Sequence, residues 1–544
     1  MIDELIYSAV AGYGLTSDEI EIEVPKHEGL GDLSTPVAMA LAKKLKKAPR
    51  QIATELITHF DGVSAFKKVE VAGPGFINFW LNDDFLYSEL KRLYDENKGY
   101  LRKNQGKGKR VQVEFVSANP TGPLHLGHGR GAALGNALSN LLQAAGYAVE
   151  REFYVNDAGK QIFNLGLSVY ARYQSILGND MEFPDDGYRG EYITELAEDI
   201  INKEGRTFLN STFESVKDFF IDYSYKKMLN EIKEDLSAFG VNFDSWQSER
   251  ELFQLQVVEQ TIADLKSRDS LKEDAGALWF KASDFGDEKD RVIIKSDGQY
   301  TYFASDISYH HQKLKRGFQE LINIWGADHH GYIPRMKAVI KAMGYAPDML
   351  NVLLVQMVSL LRGGKPVSMS KRAGEFVTLK EVVNEIGSDI AKFIFLTRRA
   401  DSHLSFDLEV VKKSSAENPV FYVQYAYARI NSIFNKALQN GWQLQSFGNV
   451  NLSLLKLPEE LRIIKKLLFY PLLFISAVRL REPHRITFYL QELCGLFHPY
   501  YNSVRVLVEE QQLASARLFL CSCIKLVIEE CTNILGVSVP EERM

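Results

Sequence analysis

Two histidines, His125 and His128, stand where a strand-like segment passes into a glycine-rich helical one. Residues 111–116 (VQVEFV) are β-branched and aromatic and partly alternate, as a strand does, whereas residues 131–145 have helical periodicity and composition. A strand-turn-helix unit directs the first unpaired N–H groups of the helix, and the positive end of its dipole, at a ligand beyond the strand. Phosphate is a favoured ligand there. The sequence therefore predicts an α/β nucleotide-binding domain around this turn.

The segment that joins the strand to the helix is rich in residues that break regular structure. The turn contains Asn119, Pro120, Gly122 and Pro123. Three glycines, Gly127, Gly129 and Gly131, lack a Cβ, so a flat base or a ribose can approach the backbone closely. His125 and His128 are about one helical turn apart and can face the same phosphates.

The main alternative from another class is a nicotinamide-dinucleotide-dependent dehydrogenase. Its fingerprint also places glycines after a strand and an acidic residue about twenty residues further on, where Glu150 and Glu152 stand. Counted from the first or second glycine, however, the third glycine would fall on Ala132 or Leu134. The loop before the glycines is also longer than the tight turn that this motif requires.

Two further motif matches have little support. A zinc site would draw on His125, His128, His329 and His330. No Cys or carboxylate lies within a few residues of the first two, and the usual zinc spacing is absent, so we expect no structural metal. The tripeptide at 284–286 (DFG) resembles a kinase motif, but no HRD catalytic loop precedes it.

Composition and charge limit the class of protein. A chain of 544 residues with 46% hydrophobic and 25% charged residues is expected to form roughly three to four globular domains. The net charge of −6 does not by itself favour a nucleic-acid partner, but basic clusters occur at 43–50, 102–110 and 313–316. Such local clusters are compatible with a polyanion bound along part of the surface.

Membrane insertion and secretion are not indicated. The apolar run at 467–478 is too short to span a bilayer, and the first residues lack the features of a signal peptide. The four cysteines, between 494 and 531, have no zinc or redox spacing. We expect them to be buried thiols of a cytoplasmic protein in a reducing compartment.

The pattern of elements divides the chain into three regions and a linker. Residues 1–95 have a helix-like segment at 37–56 and a strand pair at 69–81, and residues 98–109 read as a linker. Residues 110–405 alternate strands with helices, the pattern of a parallel doubly wound sheet. A mostly helical, acidic insertion at about 164–290 separates its halves, and residues 406–544 read as helical.

Several strings carry a family resemblance. Residues 118–128 (ANPTGPLHLGH) resemble the HIGH signature of class I aminoacyl-tRNA synthetases in its arginyl-tRNA synthetase form. Residues 367–372 (VSMSKR) resemble the KMSKS loop of that class, but Ser368 stands in place of the first lysine. Lys365 and Arg362 are candidates to supply the missing charge. Further resemblances to the arginyl family lie at 31–47, 290–306 and, in the DALR-type anticodon-binding region, 418–430.

The resemblance implies both fold and activity. The implied fold is multidomain α/β: a Rossmann-like class I synthetase catalytic core with an N-terminal α+β additional domain, which touches the tRNA elbow, and a C-terminal all-α anticodon-binding bundle. The implied enzyme is an arginine–tRNA ligase that activates L-arginine with ATP, as its Mg²⁺ complex, and charges the terminal 2′-hydroxyl of tRNA(Arg). It is expected to be a cytoplasmic monomer, to need tRNA for activation and to have no editing domain. A non-catalytic tRNA-binding paralogue is the other alternative, and the intact HLGH and MSK residues count against it.

The resemblance, together with the chemistry of arginine, nominates site residues. A guanidinium has five N–H donors and no acceptor, so carboxylates such as Glu114 and Asp306 are required beside it. The residues implied for ATP binding and catalysis are Ala118, Asn119, Pro120, Thr121, Gly122, Pro123, Leu124, His125, Leu126, Gly127, His128, Met369, Ser370 and Lys371. The residues implied for arginine binding are Glu114, Asn119, His125, Tyr302, Asp306, His329 and His330. For tRNA we expect Gln424, Tyr425 and Arg429, with Phe421 buried.

Overall fold

A computed structural model describes residues 2–15, 20–25, 27–179, 181–367, 377–413, 418–442 and 450–540. Residues up to 81 form an α+β domain whose antiparallel sheet has the order β1-β3-β2. Its helices and strands are α1 (Ile2–Val10), β1 (Leu33–Thr35), α2 (Val37–Leu45), α3 (Pro49–Ile57), β2 (Phe66–Ala72) and β3 (Phe76–Leu81). The predicted hairpin is confirmed, with the turn at 73–75 between its strands.

The single helix predicted over 37–56 is wrong. The chain leaves α2 through Lys46, which has a left-handed φ of 53°, and re-enters a helix at Pro49. Proline has no N–H to continue a helix and disfavours helical geometry in the residue before it, so it serves as a first helical residue instead. Apolar periodicity runs through both helices and conceals the break.

Two helices, α4 (Asp83–Glu96) and α5 (Lys98–Leu101), follow the N-terminal domain and lead into the α/β region. This region opens with β4 (Arg110–Glu114), α6 (Leu126–Ala144) and β5 (Ala148–Val155). Then come α7 (Lys160–Ile176), α8 (Glu191–Glu204), α9 (Phe213–Ala238), β6 (Ser245–Ser248), α10 (Glu249–Gln254), α11 (Val257–Ser267), β7 (Leu271–Asp274), β8 (Ala277–Phe280) and β9 (Arg291–Ile294). The segment read as a linker thus starts with the short helix α5.

The remainder of this region returns the chain to the sheet. Its elements are α12 (Tyr302–Lys315), β10 (Glu320–Gly326), α13 (Ile333–Ala342), β11 (Leu350–Val355), β12 (Val358–Arg362), β13 (Lys365–Pro366), α14 (Leu379–Ile386), α15 (Ser388–Phe395), β14 (Leu404–Asp407) and α16 (Leu408–Val411). The strand β14 pairs in parallel with β12, so strand structure continues past the predicted boundary at 405.

The central sheet is parallel and five-stranded, in the order β11-β10-β4-β5-β6. The chain builds outward from β4 to one side and later returns through β10 to the other side. The strand order therefore reverses between β4 and β10, and open α/β sheets bind ligands in the crevice at such a point. The predicted parallel α/β core is confirmed, and its ligand edge is defined by the carboxyl ends of these two strands.

The range 164–290 contains more than a helical insertion. The helices α7, α8 and α9 pack on one another around their own apolar core. The strand β6, however, pairs with β5 and forms the edge of the central sheet. At four residues with half-buried side chains, β6 carries too little alternation to be read from the sequence.

The C-terminal region is a helical bundle, as predicted. It consists of α17 (Pro419–Gln439), α18 (Pro458–Leu468), α19 (Tyr470–Leu480), α20 (His484–Ser503) and α21 (Gln511–Leu535). The helix α4 packs against α18 and α21. All four cysteines are buried free thiols, as expected. Among the described helices, no stretch combines the length and apolar character needed to cross a bilayer.

Candidate active site

The turn after β4 is strained. Val116 and Ser117 have φ of 67° and 40°, the left-handed region that side chains other than glycine rarely occupy. Each such residue costs about 1–3 kcal/mol, and strain of this kind clusters at functional sites. The Ser117 hydroxyl donates to Glu114 Oε1 (3.2 Å) and accepts from the Tyr154 N–H (3.2 Å), so the strained turn is anchored to β4 and β5.

Tyr192, from the insertion, supports the turn from outside. Its hydroxyl donates to the Thr121 carbonyl (2.9 Å), and a Cβ on Gly122 would lie 3.0 Å from its ring. A side chain at position 122 would crowd this ring, and α8 braces the segment that precedes His125.

The two signature histidines cap α6 together. His125 is the N-cap, its Nδ1 accepts from the His128 N–H (3.4 Å), and His128 Nδ1 accepts from the His125 N–H (3.2 Å). The rings stack with centroids 3.6 Å apart and planes at 14°. Because each Nδ1 is an acceptor, the proton of a neutral ring resides on Nε2, which makes each histidine an N–H donor. The helix also starts five residues before the predicted 131, since this cap satisfies its first N–H groups.

The chain that follows the second signature returns to the first. The Leu379 N–H donates to the Leu124 carbonyl (2.7 Å), and Thr378 forms a β-bridge with His125. Met369, Ser370 and Lys371 lie outside the described residues. The described residues that follow the second signature, Thr378 and Leu379, are thus attached to the turn that carries His125.

The two candidates for the missing loop charge differ in their surroundings. Arg362 forms a bidentate pair with Glu385, at 2.9 and 3.0 Å, so its charge is already engaged. Lys365 is exposed and makes no ion pair within the described ranges. Lys365 is the better candidate of the two.

A group of carboxylates lies at the ligand edge of the sheet. Asp306 is half-buried on α12 and accepts a hydrogen bond from the Tyr332 hydroxyl. Burial, together with the charges of Glu249 and Glu114, raises the pKa of Asp306 to about 6, although the Tyr332 hydrogen bond opposes this. Burial also raises the pKa of Glu249, which is 6% exposed at the start of α10. The site therefore favours a cationic ligand.

Glu249 was missed by the sequence analysis. It follows β6, whose place in the sheet the sequence does not reveal, and the segment reads as one more acidic helix. Glu114, by contrast, was nominated, but its Oε2 already accepts from Lys313 Nζ at 2.5 Å. Asp306 and Glu249 make no ion pair within the described residues, and they are the better placed to receive an added cation.

The other residues nominated for arginine binding differ in exposure and in their contacts. Tyr302 is 74% exposed at the first turn of α12. The charge of His329 is close enough to lower the pKa of Asp306, whereas His330 is exposed in the same short helix, Ala327–Tyr332. Asn119 is half-buried and donates to Gln161 Oε1 (2.7 Å).

The candidate tRNA residues lie on α17. The Arg429 guanidinium sits between two rings, 4.2 Å from the Tyr425 centroid and 4.5 Å from that of Tyr501, and Tyr425 is 48% exposed. Gln424 donates to the Ser538 carbonyl (3.2 Å). We expected Phe421 to be buried, but it is half-buried, because it lies on a face of α17 that is partly exposed to solvent. Sequence analysis missed Tyr501, which comes from α20.

A polar cleft of about 790 Å³ adjoins this stack. Its polar lining residues include Asn431, Asn435, Lys436, Gln439, Tyr501 and Arg505. Unpaired bases are bound by stacking and by hydrogen bonds to their edges. The guanidinium and aromatic rings here can stack on bases, and the amide side chains can hydrogen-bond to them.

Comparison with known proteins agrees with this geometry. Residues 90–435 match the family of class I (R) tRNA synthetase catalytic domains, residues 423–544 the DALR anticodon binding domain, and residues 1–81 the arginyl-tRNA synthetase N-terminal domain. The fold and the signature turn thus define a class I aminoacyl-tRNA synthetase.

Individual relatives make the assignment specific. An arginine–tRNA ligase of Syntrophotalea carbinolica is 50% identical over 97% of this chain and 95% of that protein. Arginine–tRNA ligase 1 of Halalkalibacterium halodurans is 46% identical over 99% and 98%, respectively. The fold of a Thermus thermophilus arginyl-tRNA synthetase matches with a TM-score of 0.78 at 22% identity, over 99% of both chains. The chain belongs to the arginyl-tRNA synthetase family, and neither the dehydrogenase nor the non-catalytic alternative is supported.

Proposed function

We propose that this arginine–tRNA ligase performs both steps at the edge of the sheet where β4 and β10 end. The arginine carboxylate attacks the α-phosphorus of ATP, pyrophosphate leaves, and the terminal 2′-hydroxyl of tRNA(Arg) then displaces AMP. The observation that carries this proposal is the group of carboxylates, Asp306, Glu249 and Glu114, at the end of β4, the strand whose turn leads into the histidine-capped start of α6. The carboxylates suit a guanidinium, and the histidine-capped helix start suits phosphates.

Arginine is bound by charge and by alignment. Asp306 and Glu249 receive the guanidinium, since neither forms an ion pair within the described residues and the charge of Glu249 raises the pKa of Asp306. Glu114, held by Lys313, completes the acidic wall. Tyr302 covers the pocket from solvent, and Asn119 orients the α-amino or carboxylate end. Uncharged analogues would leave buried carboxylates unpaired and would be rejected strongly.

ATP is bound along the signature turn. The backbone of residues 118–124 and the glycines that follow it, at 127, 129 and 131, cradle the nucleotide. The Nε2–H groups of His125 and His128 donate to its phosphates. Met369, Ser370 and Lys371 complete the site from their loop, and ATP enters as its Mg²⁺ complex. The reaction needs no covalent enzyme intermediate, because alignment and charge stabilisation suffice.

The tRNA contacts all three regions in this proposal. The N-terminal domain meets its elbow, and the cleft beside Tyr425, Arg429 and Tyr501 receives anticodon bases. Gln424 adds a polar contact at the rim. We place the enzyme in the cytoplasm, as a monomer, with its three substrates.

The proposal is tested by aminoacylation of bulk tRNA with each amino acid in turn. Charging should be confined to arginine, and arginine-dependent ATP–pyrophosphate exchange should be negligible until cognate tRNA is added, because tRNA binding completes the ATP side of the site. A dehydrogenase would bind nicotinamide cofactor without charging. Robust exchange by RNA-free enzyme would show that the ATP side of the site is complete without tRNA.

Removal of residues 1–81 should leave a folded enzyme whose KM for tRNA is raised about tenfold or more, with an unchanged KM for arginine. We end the deletion at 81 rather than 95, because Leu86, Leu90 and Leu93 of α4 are buried against the C-terminal bundle. The measurement is charging over a range of tRNA concentrations. An unchanged tRNA KM would remove the elbow contact from the proposal.

A milder variant separates charge from folding. Lys43→Gln with Lys44→Gln neutralises the exposed basic end of α2, and Lys67→Gln with Lys68→Gln is a matched control on β2 of the same domain. The first pair should raise the tRNA KM more than the second.

A further inference from the structure

A lysine lies fully buried beneath the proposed arginine pocket. The Lys313 side chain has 0% exposure, and its Nζ donates to Glu114 Oε2 (2.5 Å) and to Asn323 Oδ1 (3.2 Å). The ammonium also lies 4.1 Å from the centroid of the Tyr309 ring. A buried charge is tolerated only when it is paired and hydrogen-bonded in this way. Lys313 and Glu114 therefore hold each other in position.

The contacts of Lys313 continue through Asn323 and His310 to Asp306. The Asn323 amide lies 2.9 Å from His310 Nε2, and His310 Nδ1 lies 2.8 Å from the Asp306 carbonyl. Burial lowers the pKa of His310 to about 3, so the ring is neutral; Nδ1–H donates to Asp306 and Nε2 accepts from Asn323. A chain of buried hydrogen bonds therefore joins the backbone of Asp306 to the carboxylate of Glu114.

The fold brings these residues together without local distortion. Asp306, His310 and Lys313 are spaced four and three residues apart on α12, which places them on one face of the helix. Asn323 and Glu114 are register partners on the paired strands β10 and β4. The face of α12 is thus docked on the two strands whose ends define the ligand crevice.

Charge is distributed unequally across this arrangement. Within the described residues, Glu114 forms an ion pair, with Lys313, whereas Asp306 and Glu249 form none. The titratable groups that face Glu114 are Lys313, Asp306 and Tyr309 from α12 and Tyr154 from β5, with Glu152 of β5 bound to Tyr309. Lys313 is therefore the cation that offsets Glu114 in an otherwise acidic wall.

We propose that Lys313 is a positioning residue for arginine recognition, which fixes the Glu114 carboxylate in place and in its charged form. The charges of Asp306 and Glu249 are then left for the substrate to neutralise. This inference rests on the proposed arginine pocket and adds the element that organises it. Without the ammonium, a buried carboxylate beside two others is protonated more readily, and the acidic wall loses charge as the pH falls.

The test is the pH dependence of the arginine KM in Lys313→Met, measured by tRNA charging from pH 6.5 to 8.5 beside wild type. The ratio of variant to wild-type KM should be about tenfold or more at pH 6.5 and should decline as the pH rises, with the ATP KM within about twofold. Lys392→Met is the matched control, because Lys392 is also buried but pairs with Asp389 on α15. It should lower stability and leave the arginine KM unchanged. A ratio near one, or one that is equally raised at every pH, overturns the inference.

A second variant keeps the inference testable if Lys313→Met does not fold. Glu114→Gln with Lys313→Met replaces the ion pair by a neutral pair of similar shape, which folded proteins tolerate better than an unpaired charge. It should charge arginine with a raised KM that shows no added dependence on pH. A wild-type arginine KM in this variant would overturn the inference. Absence of arginine charging by wild type would instead overturn the proposed function.

Discussion

Asp306→Asn is expected to raise the KM for arginine by about 100-fold or more, because truncating one partner of a buried charged contact typically costs 2–5 kcal/mol. The asparagine keeps the shape of the side chain and can keep the hydrogen bond from Tyr332, so the fold should persist. Calorimetry of arginine binding measures the effect directly. Asp297→Asn, at an exposed carboxylate of the same domain, is the matched control and should bind arginine normally.

The same residue predicts a pH profile. The pKa of Asp306 is raised to about 6 by burial and by the neighbouring carboxylates, so the anion is lost as the pH falls through that value. In wild type, kcat/KM for arginine should therefore fall below about pH 6, and this decline should be absent from Asp306→Asn. Wild-type affinity in the variant, or an identical acid limb in both proteins, would make Asp306 a structural carboxylate.

Lys371→Ala is expected to slow adenylate formation by about 10²-fold or more, the effect of removing a single charge-stabilising donor in other active sites. The dissociation constant of arginine should change much less, because this charge acts mainly as negative charge moves onto the departing pyrophosphate. Rapid-quench measurement of arginyl-adenylate, with tRNA present, separates the two quantities. An unchanged rate would remove Lys371 from the reaction.

Lys365→Ala provides the comparison within the same segment. Because Arg362 is engaged by Glu385, Lys365 is the described cation that can compensate for Ser368. Its replacement should slow adenylate formation as well, but by less than the loss of Lys371. Equal rates for Lys365→Ala and wild type would mean that the first position of the loop signature needs no positive charge here.

Local pattern was sufficient to predict the parallel core, the N-terminal hairpin and the helical C-terminal region. The strand at 111–116 is rich in β-branched and aromatic residues, its proline- and glycine-rich turn is distinctive, and the periodic segments of the C-terminal bundle are long. Where the local signal is weak, prediction failed: the break at Lys46–Pro49 lies within continuous apolar periodicity, and β6 is only four residues long. Both features depend on packing against distant segments rather than on their own composition.

The sequence by itself determined the class of site, because a strand, a rigid turn and a histidine-capped helix are all contiguous in the chain. It also supplied Asp306 as a candidate carboxylate. Only the tertiary structure brought Glu249 beside Asp306 and buried Lys313 under Glu114, since these contacts join residues 57 and 199 positions apart. Burial and charge pairing depend on which residues the fold brings together. The sequence alone therefore cannot distinguish a carboxylate that is open to substrate from one that is already paired.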